Sequence, residues 1–444
     1  MINFIEWIQD NKGFFSDSLE LRTSPLGGIG VFATEDIPED TVLYRLPKEE
    51  ILSPRTCGIS NLLAEYDYLG MEGLVMAYLF EKSLGNQSPW GVFFSSLDST
   101  RRPDVSTLWS DEDKMLLKNT DVDTIGGLDE GEISSLYQEA LEFVSHCDDM
   151  IPPFSYQEYA DALIIVSSRA FLVDEFHGLS LVPGACLFNH SDKEDVHFES
   201  DFDVCALCGG LFCDCRESKA MELEQEHVSN SNNDQESENE SETGSENENS
   251  SVQSGADNVC EIRSVRYIQA GNEIMNTYGD EPNSVLVSRY GFVIWANQNE
   301  SINVSQQVLQ YCRANDLKLR FKWWKQNFGK LCEPEADSWQ SVVEVNIHGE
   351  VTEPFQLLLT ILAMPLKAFV LLSKGGRLKE PNDHTRREAI LREILQARFM
   401  AFTDGGMSSE EYHRIANAAT GHKKLALLYL GTSKLCLEKA IGAL

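Results

Sequence analysis

The sequence predicts an α+β fold in which a β-rich core is interrupted by a helical block and followed by a helical tail. Short strand-like runs cut by glycine and proline turns precede residue 59, a helical period governs residues 59–178, and strand-like runs return before a helical stretch after residue 300. A chain of 444 residues exceeds the roughly 250–300 residues of one core, so we expect two or three folding units. Irregular alternation of the blocks argues against a doubly wound α/β enzyme.

The predicted elements follow from hydrophobic periodicity. Apolar residues on one side of residues 2–12 predict a short helix. Predicted strands are Leu19–Arg22, Gly30–Ala33, Thr41–Leu46, Leu179–Leu187 and Val259–Gly271, and predicted helices are Glu72–Lys82, Glu132–His146, Tyr156–Val173, Gln306–Asn315, Phe355–Leu372, His384–Ala401 and Ser408–Ile441.

The net charge indicates the kind of partner. With 71 acidic against 36 basic residues, the formal charge is −35, which argues against direct binding of nucleic acid, because that requires clustered Lys and Arg. A basic polypeptide is the expected partner. About a third of the charge lies between Glu217 and Asn258, where Ser, Asn and Glu dominate and aliphatic residues are nearly absent. We expect this acidic insertion to be disordered, since it cannot bury enough apolar surface.

Location is predicted from hydropathy and cysteine usage. No stretch approaches the roughly 18 consecutive apolar residues of a membrane helix, and the first residues lack the basic and apolar regions of a signal peptide. Eleven cysteines in a long chain favour free thiols or a metal site over a disulfide framework. We therefore expect a monomer without membrane contact in the cytoplasm or the nucleus.

A cluster of cysteines lies just before the acidic insertion. Cys205, Cys208, Cys213 and Cys215 form a C-x2-C-x4-C-x-C pattern, and Gly209-Gly210 would let the chain turn back on itself. Four thiolates can complete a tetrahedral zinc site. The alternative is a set of reduced surface thiols or a redox-sensitive loop, because the C-x-C spacing is tight.

Five short segments carry the chemical signal, although each alone is typical of an ordinary turn or strand. They are Leu26–Ala33, with a Gly-x-Gly turn entering a strand; Arg169–Phe171; Leu187–Ser191, with an Asn-His pair; Ala270–Gly279, with a Gly-x-Glu and a Tyr-Gly; and Ser288–Phe292, which contains Tyr-Gly-Phe. The first is not a dinucleotide fingerprint, because no helix follows and the third glycine is missing.

In this order and with these flanks, the segments resemble the SET-domain lysine methyltransferases, in particular the branch that includes the Rubisco, SETD6-like and ribosomal-protein methyltransferases. The resemblance implies a SET fold with a pseudo-knot, in which residues 1–58 and 179–300 form the core. Residues 59–178 would be a helical insert, and residues 301–444 a helical substrate-binding domain. The cysteines do not occupy the place of a post-SET zinc site.

The resemblance also assigns roles at the cofactor site. S-adenosylmethionine would be the methyl donor, with Gly28-Ile29-Gly30 presenting backbone groups to its methionine moiety. Arg169 would bind the carboxylate of that moiety through a charge-assisted hydrogen bond. Asn189 and His190 would hold the adenine and help to fix the chain crossing.

The lysine side of the site follows from the same motifs. Tyr278 would contact the cofactor and direct its hydroxyl at the transferred methyl group, as the catalytic residue. Phe171, Tyr290 and Phe292 would line a lysine channel with aromatic faces suited to an ammonium group. A neighbouring cation and an apolar channel both lower the pKa of the substrate lysine, so the amine can release its proton to water without a dedicated base.

The substrate is expected to be a basic non-histone protein, a ribosomal protein or a translation factor, because members of this branch mostly methylate such proteins. Histones are also basic, so a histone methyltransferase is an alternative. A second alternative is a SET-fold module that binds proteins without catalysis. A third is a metal-dependent interaction protein centred on the four clustered cysteines. The sequence does not decide the target lysine or the number of methyl groups transferred.

Overall fold

The structure is a computed structural model that describes residues 2–98, 102–147, 150–211, 213, 215, 258–331, 338–377, 384–402 and 406–444. The chain forms two compact units, one of residues 1–102 and 136–277 and the other of residues 103–135 and 278–444. The predicted helical insert contributes residues to both units. The acidic insertion lies outside the described residues except for Asn258.

The first unit contains most of the strands and has its own core of buried aliphatic and aromatic side chains. Its strands are β1 (Phe14–Phe15), β2 (Leu19–Thr23), β3 (Ile29–Ala33), β4 (Val42–Pro47), β5 (Ala170–Leu172), β6 (Leu179–Leu181), β7 (Asn189–His190), β8 (Val196–Ser200), β9 (Val259–Ser264) and β10 (Met275–Asn276). Its helices are α1 (Ile2–Asp10), α2 (Ser60–Glu65), α3 (Gly70–Ser83), α4 (Gly91–Asp98) and α8 (Tyr156–Ser167), while α7 (Gly131–Ser145) contains the point where the units divide. Short 3-10 turns are Lys48–Glu50, Gly85–Gln87 and Ala185–Leu187.

The largest sheet is antiparallel, in the order β1-β4-β9-β8. Along β9, half-buried and buried residues alternate, as expected of a strand that places every second side chain in the core. β2 pairs with β3, β5 pairs with β6, and β7 lies parallel beside β10. The core strands predicted at the amino terminus are confirmed.

The prediction of one helix over Tyr156–Val173 is wrong at its end. The helix stops at Ser167, and Ala170–Leu172 form β5, which pairs with β6. At the helix end the Ser168 hydroxyl donates to the carbonyl of Ile164 at 2.7 Å. Such back-bonding competes with helix continuation, and strand pairing with residues farther along the chain then decides the conformation.

The second unit is mainly helical, with a separate core. Its helices are α5 (Asp111–Lys114), α6 (Asp121–Thr124), α9 (Asn283–Val285), α10 (Ser305–Ala314), α11 (Lys318–Leu331), α12 (Glu353–Ala363), α13 (Leu366–Ser373), α14 (Thr385–Met400), α15 (Ser409–Ala416) and α16 (Gly421–Ala443). The turns Ser106–Leu108, Met115–Leu117 and the π turn Leu286–Tyr290 complete it, with β11 (Ser301–Asn303) paired to β12 (Glu344–Asn346).

The α+β class is confirmed, with two helix breaks that periodicity did not reveal. The predicted helix Phe355–Leu372 is broken between α12 and α13 at Met364 and Pro365, because proline disfavours helical conformation in the residue before it. The predicted helix Ser408–Ile441 is divided between α15 and α16.

Within the described residues, no single helix has the length and apolar composition to cross a membrane. The pair α12 and α13 passes that test only when taken together, and it is bent by 118° at its break.

Candidate active site

The turn before β3 presents backbone to open space. Gly27 and Gly28 have φ of 103° and 70°, and a Cβ at either position would meet no atom within 4 Å. Glycine adopts this left-handed region without the steric penalty that other residues incur. The turn is therefore shaped for glycine, and no protein atom lies where a side chain at either position would begin.

Gly30 has a different environment from Gly28. A Cβ at position 30 would collide with the Glu273 carboxylate and come within 3.1 Å of the Asn189 amide nitrogen. The Gly-x-Gly motif therefore combines two requirements: open main chain at Gly28 and close internal packing at Gly30.

The Glu273 carboxylate joins three segments of the first unit. One oxygen accepts a hydrogen bond from Asn189 Nδ2 at 2.7 Å, and the other accepts from the buried hydroxyl of Ser24 at 2.9 Å. The same Asn189 amide nitrogen donates to the carbonyl oxygen of Ile29 at 3.3 Å. The Asn189 side-chain nitrogen is therefore engaged within the protein by both contacts.

The Asn-His segment crosses beside the segment that leads to Tyr278. β7 and β10 are parallel, with Asn189 opposite Met275 and His190 opposite Asn276. The amide of Ser191 donates to the carbonyl of Asn276 at 2.9 Å, which extends the pairing. Parallel pairing of these two segments is the chain crossing that the resemblance to the SET family implies.

Two buried side chains lie in this crossing. His190 is buried, and burial lowers the pKa of its imidazole below the usual value, although nearby Asp192 and Glu194 oppose the shift. The ring is therefore neutral at neutral pH. Asn276 is also buried, and its side-chain Nδ2 has no hydrogen-bond partner in the described structure, whereas buried polar groups are normally paired.

Arg169 and Phe171 flank the start of β5. Arg169 is half-buried, and its Nη1 donates to the Ser168 hydroxyl at 3.0 Å. The half-buried ring of Phe171 packs against Phe198 of β8, with centroids 4.5 Å apart. The guanidinium of Arg169 thus immediately precedes β5, and the aromatic ring of Phe171 lies within it.

Three aromatic rings converge in the second unit. The ring centroid of Tyr278 lies 4.8 Å from that of Tyr290 and 6.5 Å from that of Phe292, and the last two are 6.1 Å apart. All three side chains are half-buried. Burial raises the pKa of Tyr290, so its phenol stays protonated at neutral pH. We call these three residues the aromatic cluster.

Gly291 fixes the two later members of the aromatic cluster. Its φ is 75°, and a Cβ would lie 2.7 Å from the backbone nitrogen of Asp104. Any other residue would therefore be strained and would push against the main chain of a neighbouring segment. This accounts for the glycine between Tyr290 and Phe292.

A buried polar pair supports the chain that leaves the aromatic cluster. Asn283 accepts a hydrogen bond from the amide of Ile294 at 2.8 Å and donates to the Glu300 carboxyl at 2.5 Å. Burial raises the pKa of Glu300 to about 8. Neither Asn283 nor Glu300 was predicted as a site residue, and no local pattern points to Glu300.

The predicted metal ligands are brought together. Single sulfur atoms of Cys205, Cys208, Cys213 and Cys215 all lie within 4.8 Å of one another. Glu273, in contrast, was not predicted as a site residue, although its place in the Gly-x-Glu motif was a usable signal.

Comparison with known proteins gives the following relatives. The model of the SET domain family matches residues 28–279. The chain is 27% identical over 372 residues to ribosomal lysine N-methyltransferase 3 of Saccharomyces cerevisiae, covering 72% of this chain and 67% of that protein. It is 28% identical over 199 residues to N-lysine methyltransferase SETD6 of Mus musculus, covering 41% of this chain and 42% of that protein.

A solved structure has a similar fold. The structure of Rubisco LSMT bound to AdoMet has a TM-score of 0.63 and 15% identity, covering 100% of this chain and 90% of that one. At this identity the likeness concerns the fold alone.

Proposed function

The chain belongs to the SET-domain family, and on that premise we propose that it transfers the methyl group of S-adenosylmethionine to a lysine side chain of a basic protein. The observation that carries the proposal is the parallel pairing of Asn189-His190 with Met275-Asn276, two residues before Tyr278. That pairing brings two segments that are ordinary in isolation, the Asn-His segment and the segment that leads to Tyr278, into one crossing.

The residues fit the proposed cofactor. A Cβ at Gly28 would meet open space, and Arg169 supplies a guanidinium, a group that binds carboxylates through charge-assisted hydrogen bonds. Asn276 offers a buried donor that has no partner in the described structure. S-adenosylmethionine supplies an electrophilic methyl group on a sulfonium sulfur. The side chains of this site would bind and orient it, and none is required to react covalently.

The aromatic cluster supports the proposed acceptor. A lysine amine must be neutral to attack a methyl group, whereas its usual pKa is about 10.4. The half-buried rings of Tyr278, Tyr290 and Phe292 would surround the amine with little water, which disfavours the ammonium form. The released proton would pass to solvent. Positioning of the amine in line with the methyl group would then supply most of the rate enhancement.

The Tyr278 hydroxyl is the group proposed to act on the methyl group itself. Its ring is held by Tyr290 and Phe292, so the hydroxyl direction is set by packing. An oriented oxygen dipole stabilises positive charge on a transferred methyl group more effectively than mobile water does.

For the substrate we propose a ribosomal protein or translation factor. The formal charge of −35 favours approach of lysine-rich surfaces, and the yeast relative carries the name ribosomal lysine N-methyltransferase 3. Histones satisfy the charge argument equally, so they belong in the same experiment. We further propose a monomer that works in the cytoplasm or nucleus, where free thiols persist.

The test is incubation with labelled S-adenosylmethionine and three fractions: ribosomal proteins from cells that lack the corresponding activity, the other cytosolic proteins, and core histones. We expect label on a lysine of a ribosomal protein or translation factor, located by peptide mapping. Tyr267→Phe serves as the control for the catalytic variant Tyr278→Phe, because Tyr267 is an exposed tyrosine. Label on histones alone would overturn the substrate class, and no label in any fraction would overturn the enzymatic proposal in favour of a binding module.

A further inference from the structure

The cysteine turn, which we define as residues 205–211 with Cys213 and Cys215, has the geometry of a metal site. Its four free thiols lie within 4.8 Å of one another. Four sulfurs around a tetrahedral zinc ion, with zinc–sulfur bonds of about 2.3 Å, are about 3.8 Å apart. Only a small contraction of the observed arrangement is therefore needed to receive the ion.

The backbone is already folded for this purpose. The amide of Gly209 donates to the carbonyl of Cys205 at 2.7 Å, and the amide of Cys205 donates to the carbonyl of Gly210 at 3.0 Å. Gly209 has a φ of 71°, which lets the chain reverse after the first cysteine pair. The Leu207 and Cys208 amides donate to the Cys205 sulfur.

We propose that Cys205, Cys208, Cys213 and Cys215 bind one zinc ion as thiolates, and that this ion holds the cysteine turn against the turn between β5 and β6. Binding would replace the thiol protons, which pass to solvent, and no electron transfer is involved. Four protein ligands leave no open coordination position, so the role is structural. The proposal is independent of the methyl-transfer reaction.

The cysteine turn packs directly on the turn between β5 and β6. A Cβ at Gly209 would lie 2.7 Å from the Phe176 ring and 3.2 Å from the His177 ring. The amide of Glu175 also lies 3.5 Å from the carbonyl of Phe202, within reach of a long hydrogen bond. Glycine at position 209 therefore allows the cysteine turn to pack closely on the Phe176 and His177 rings, and a bound zinc ion would stabilise this packing.

The buried Lys48 binds the chain segment that precedes the cysteine turn. The ammonium of Lys48 donates to the Asp174 carboxylate at 2.8 Å and to the carbonyl of Asp201 at 2.6 Å. The lysine and the aspartate are both buried. One cation thus joins the β5–β6 turn to the chain segment that leads into the cysteines.

The cysteine turn also touches the far end of the acidic insertion. The Asn258 side chain donates to the carbonyl of Gly209 at 2.9 Å, and the carbonyl of Asn258 accepts from the amide of Lys48 at 3.0 Å. Cys215 precedes the acidic insertion in the sequence. All four cysteines precede the insertion, so a zinc ion would close only the short segment between Cys205 and Cys215. It would thereby hold the turn on which Asn258 is anchored by its hydrogen bond to Gly209.

The first experiment uses the unaltered full-length protein. We expect about one zinc per chain by elemental analysis after extensive dialysis, and replacement by cobalt(II) should give the thiolate charge-transfer and tetrahedral ligand-field absorption of a four-sulfur site. Zinc below a tenth of an equivalent would overturn the proposal, as would disulfides between these cysteines found by mass spectrometry. Stoichiometric iron would overturn the identity of the metal.

The second experiment uses Cys208→Ser and Cys213→Ser, with Leu207→Ser as the matched control because Leu207 is exposed in the same turn. The cysteine variants should lose at least nine tenths of the zinc, and the control should keep it. Amide exchange in residues 173–178 should become at least tenfold faster in the cysteine variants while that of β9 stays unchanged. Zinc retention in both cysteine variants would overturn the ligand set, and unchanged exchange in residues 173–178 would overturn the clamping role.

Discussion

Asn189 donates a hydrogen bond to the Glu273 carboxylate at 2.7 Å, across 84 positions of the sequence. The bond ties the Asn-His strand to the segment that precedes Tyr278, and the same carboxylate leaves room only for glycine at position 30. One acidic side chain therefore connects three motifs that the sequence shows as separate.

Gly30→Ala should be rescued in part by Glu273→Ala. Alone, Gly30→Ala places a methyl group on the Glu273 carboxylate, which must move and release Asn189; we expect the affinity for S-adenosylmethionine to fall about tenfold or more. The double variant removes the clash, so the two losses should be non-additive. Cofactor titration and thermal unfolding of the four proteins measure this, and strictly additive effects would contradict the proposed contact.

Tyr278→Phe should abolish most methyl transfer while leaving cofactor binding and folding near normal. The substitution keeps the ring that packs on Tyr290 at 4.8 Å and removes only the hydroxyl. We expect the single-turnover rate to fall by about 100-fold or more, as is typical when one oriented polar group is lost from a transition state. Unchanged transfer would remove the catalytic assignment.

Glu300→Gln should stabilise the protein at alkaline pH. Burial raises the pKa of Glu300 to about 8 from a usual value of 4.5, so the folded state retains a proton that the unfolded chain has lost. This contribution is complete below pH 4.5 and disappears as the pH rises through about 8. Gln keeps a neutral acceptor for Asn283. In urea unfolding between pH 5 and 9, the free energy of unfolding should decrease less with rising pH for the variant than for the unaltered protein. An equal decrease in both proteins would contradict the shifted pKa.

His422 should give the second unit a further dependence on pH. Its two ring nitrogens lie 2.9 Å from the carboxylates of Asp104 and Asp113, and its ring stacks on Trp109 at 4.5 Å. Partial burial opposes protonation, but the hydrogen bonds from the ring to the two carboxylates outweigh it and raise the pKa of His422 above 6.5.

Stabilisation by protonated His422 is therefore complete below pH 6.5 and is lost as the pH rises through the raised value. Because Trp109 stacks on the ring, tryptophan fluorescence should report this titration. His422→Gln should remove it, whereas the exposed His197→Gln is the control and should not. A titration that persists in His422→Gln would contradict the assignment.

Salt should weaken the recognition of basic substrates. The charge of −35 attracts a cationic protein over distances that ions screen within about 8–10 Å at moderate salt. We expect KM for a ribosomal protein fraction to rise about threefold to tenfold between 50 and 250 mM salt, while kcat changes little. The control is a peptide whose target lysine is flanked by uncharged residues. An equal rise of KM for both substrates would contradict long-range electrostatic attraction.

Much of the architecture was accessible from one-dimensional patterns. The hydrophobic pattern and the turn residues predicted the strands that became β2, β3 and β4, and the resemblance to the SET family implied the crossing that β7 and β10 form. The end of α8 could not be predicted from the sequence, because residues 170–172 carry side chains that fit either a helix or a strand. Pairing with β6, which is a non-local interaction, made the choice.

The sequence by itself determined the fold class, the motif order and the residue types at the site, because hydrophobic periodicity and glycine requirements are local properties of the chain. Only the tertiary structure decided that Gly28 faces open space while Gly30 packs on Glu273, and that Glu300 is buried against Asn283. It also brought four cysteine sulfurs within 4.8 Å of one another. The physical reason is that burial, pKa shifts and metal-ligand geometry depend on distances between segments that are remote in sequence, and these distances are fixed only when the whole unit packs.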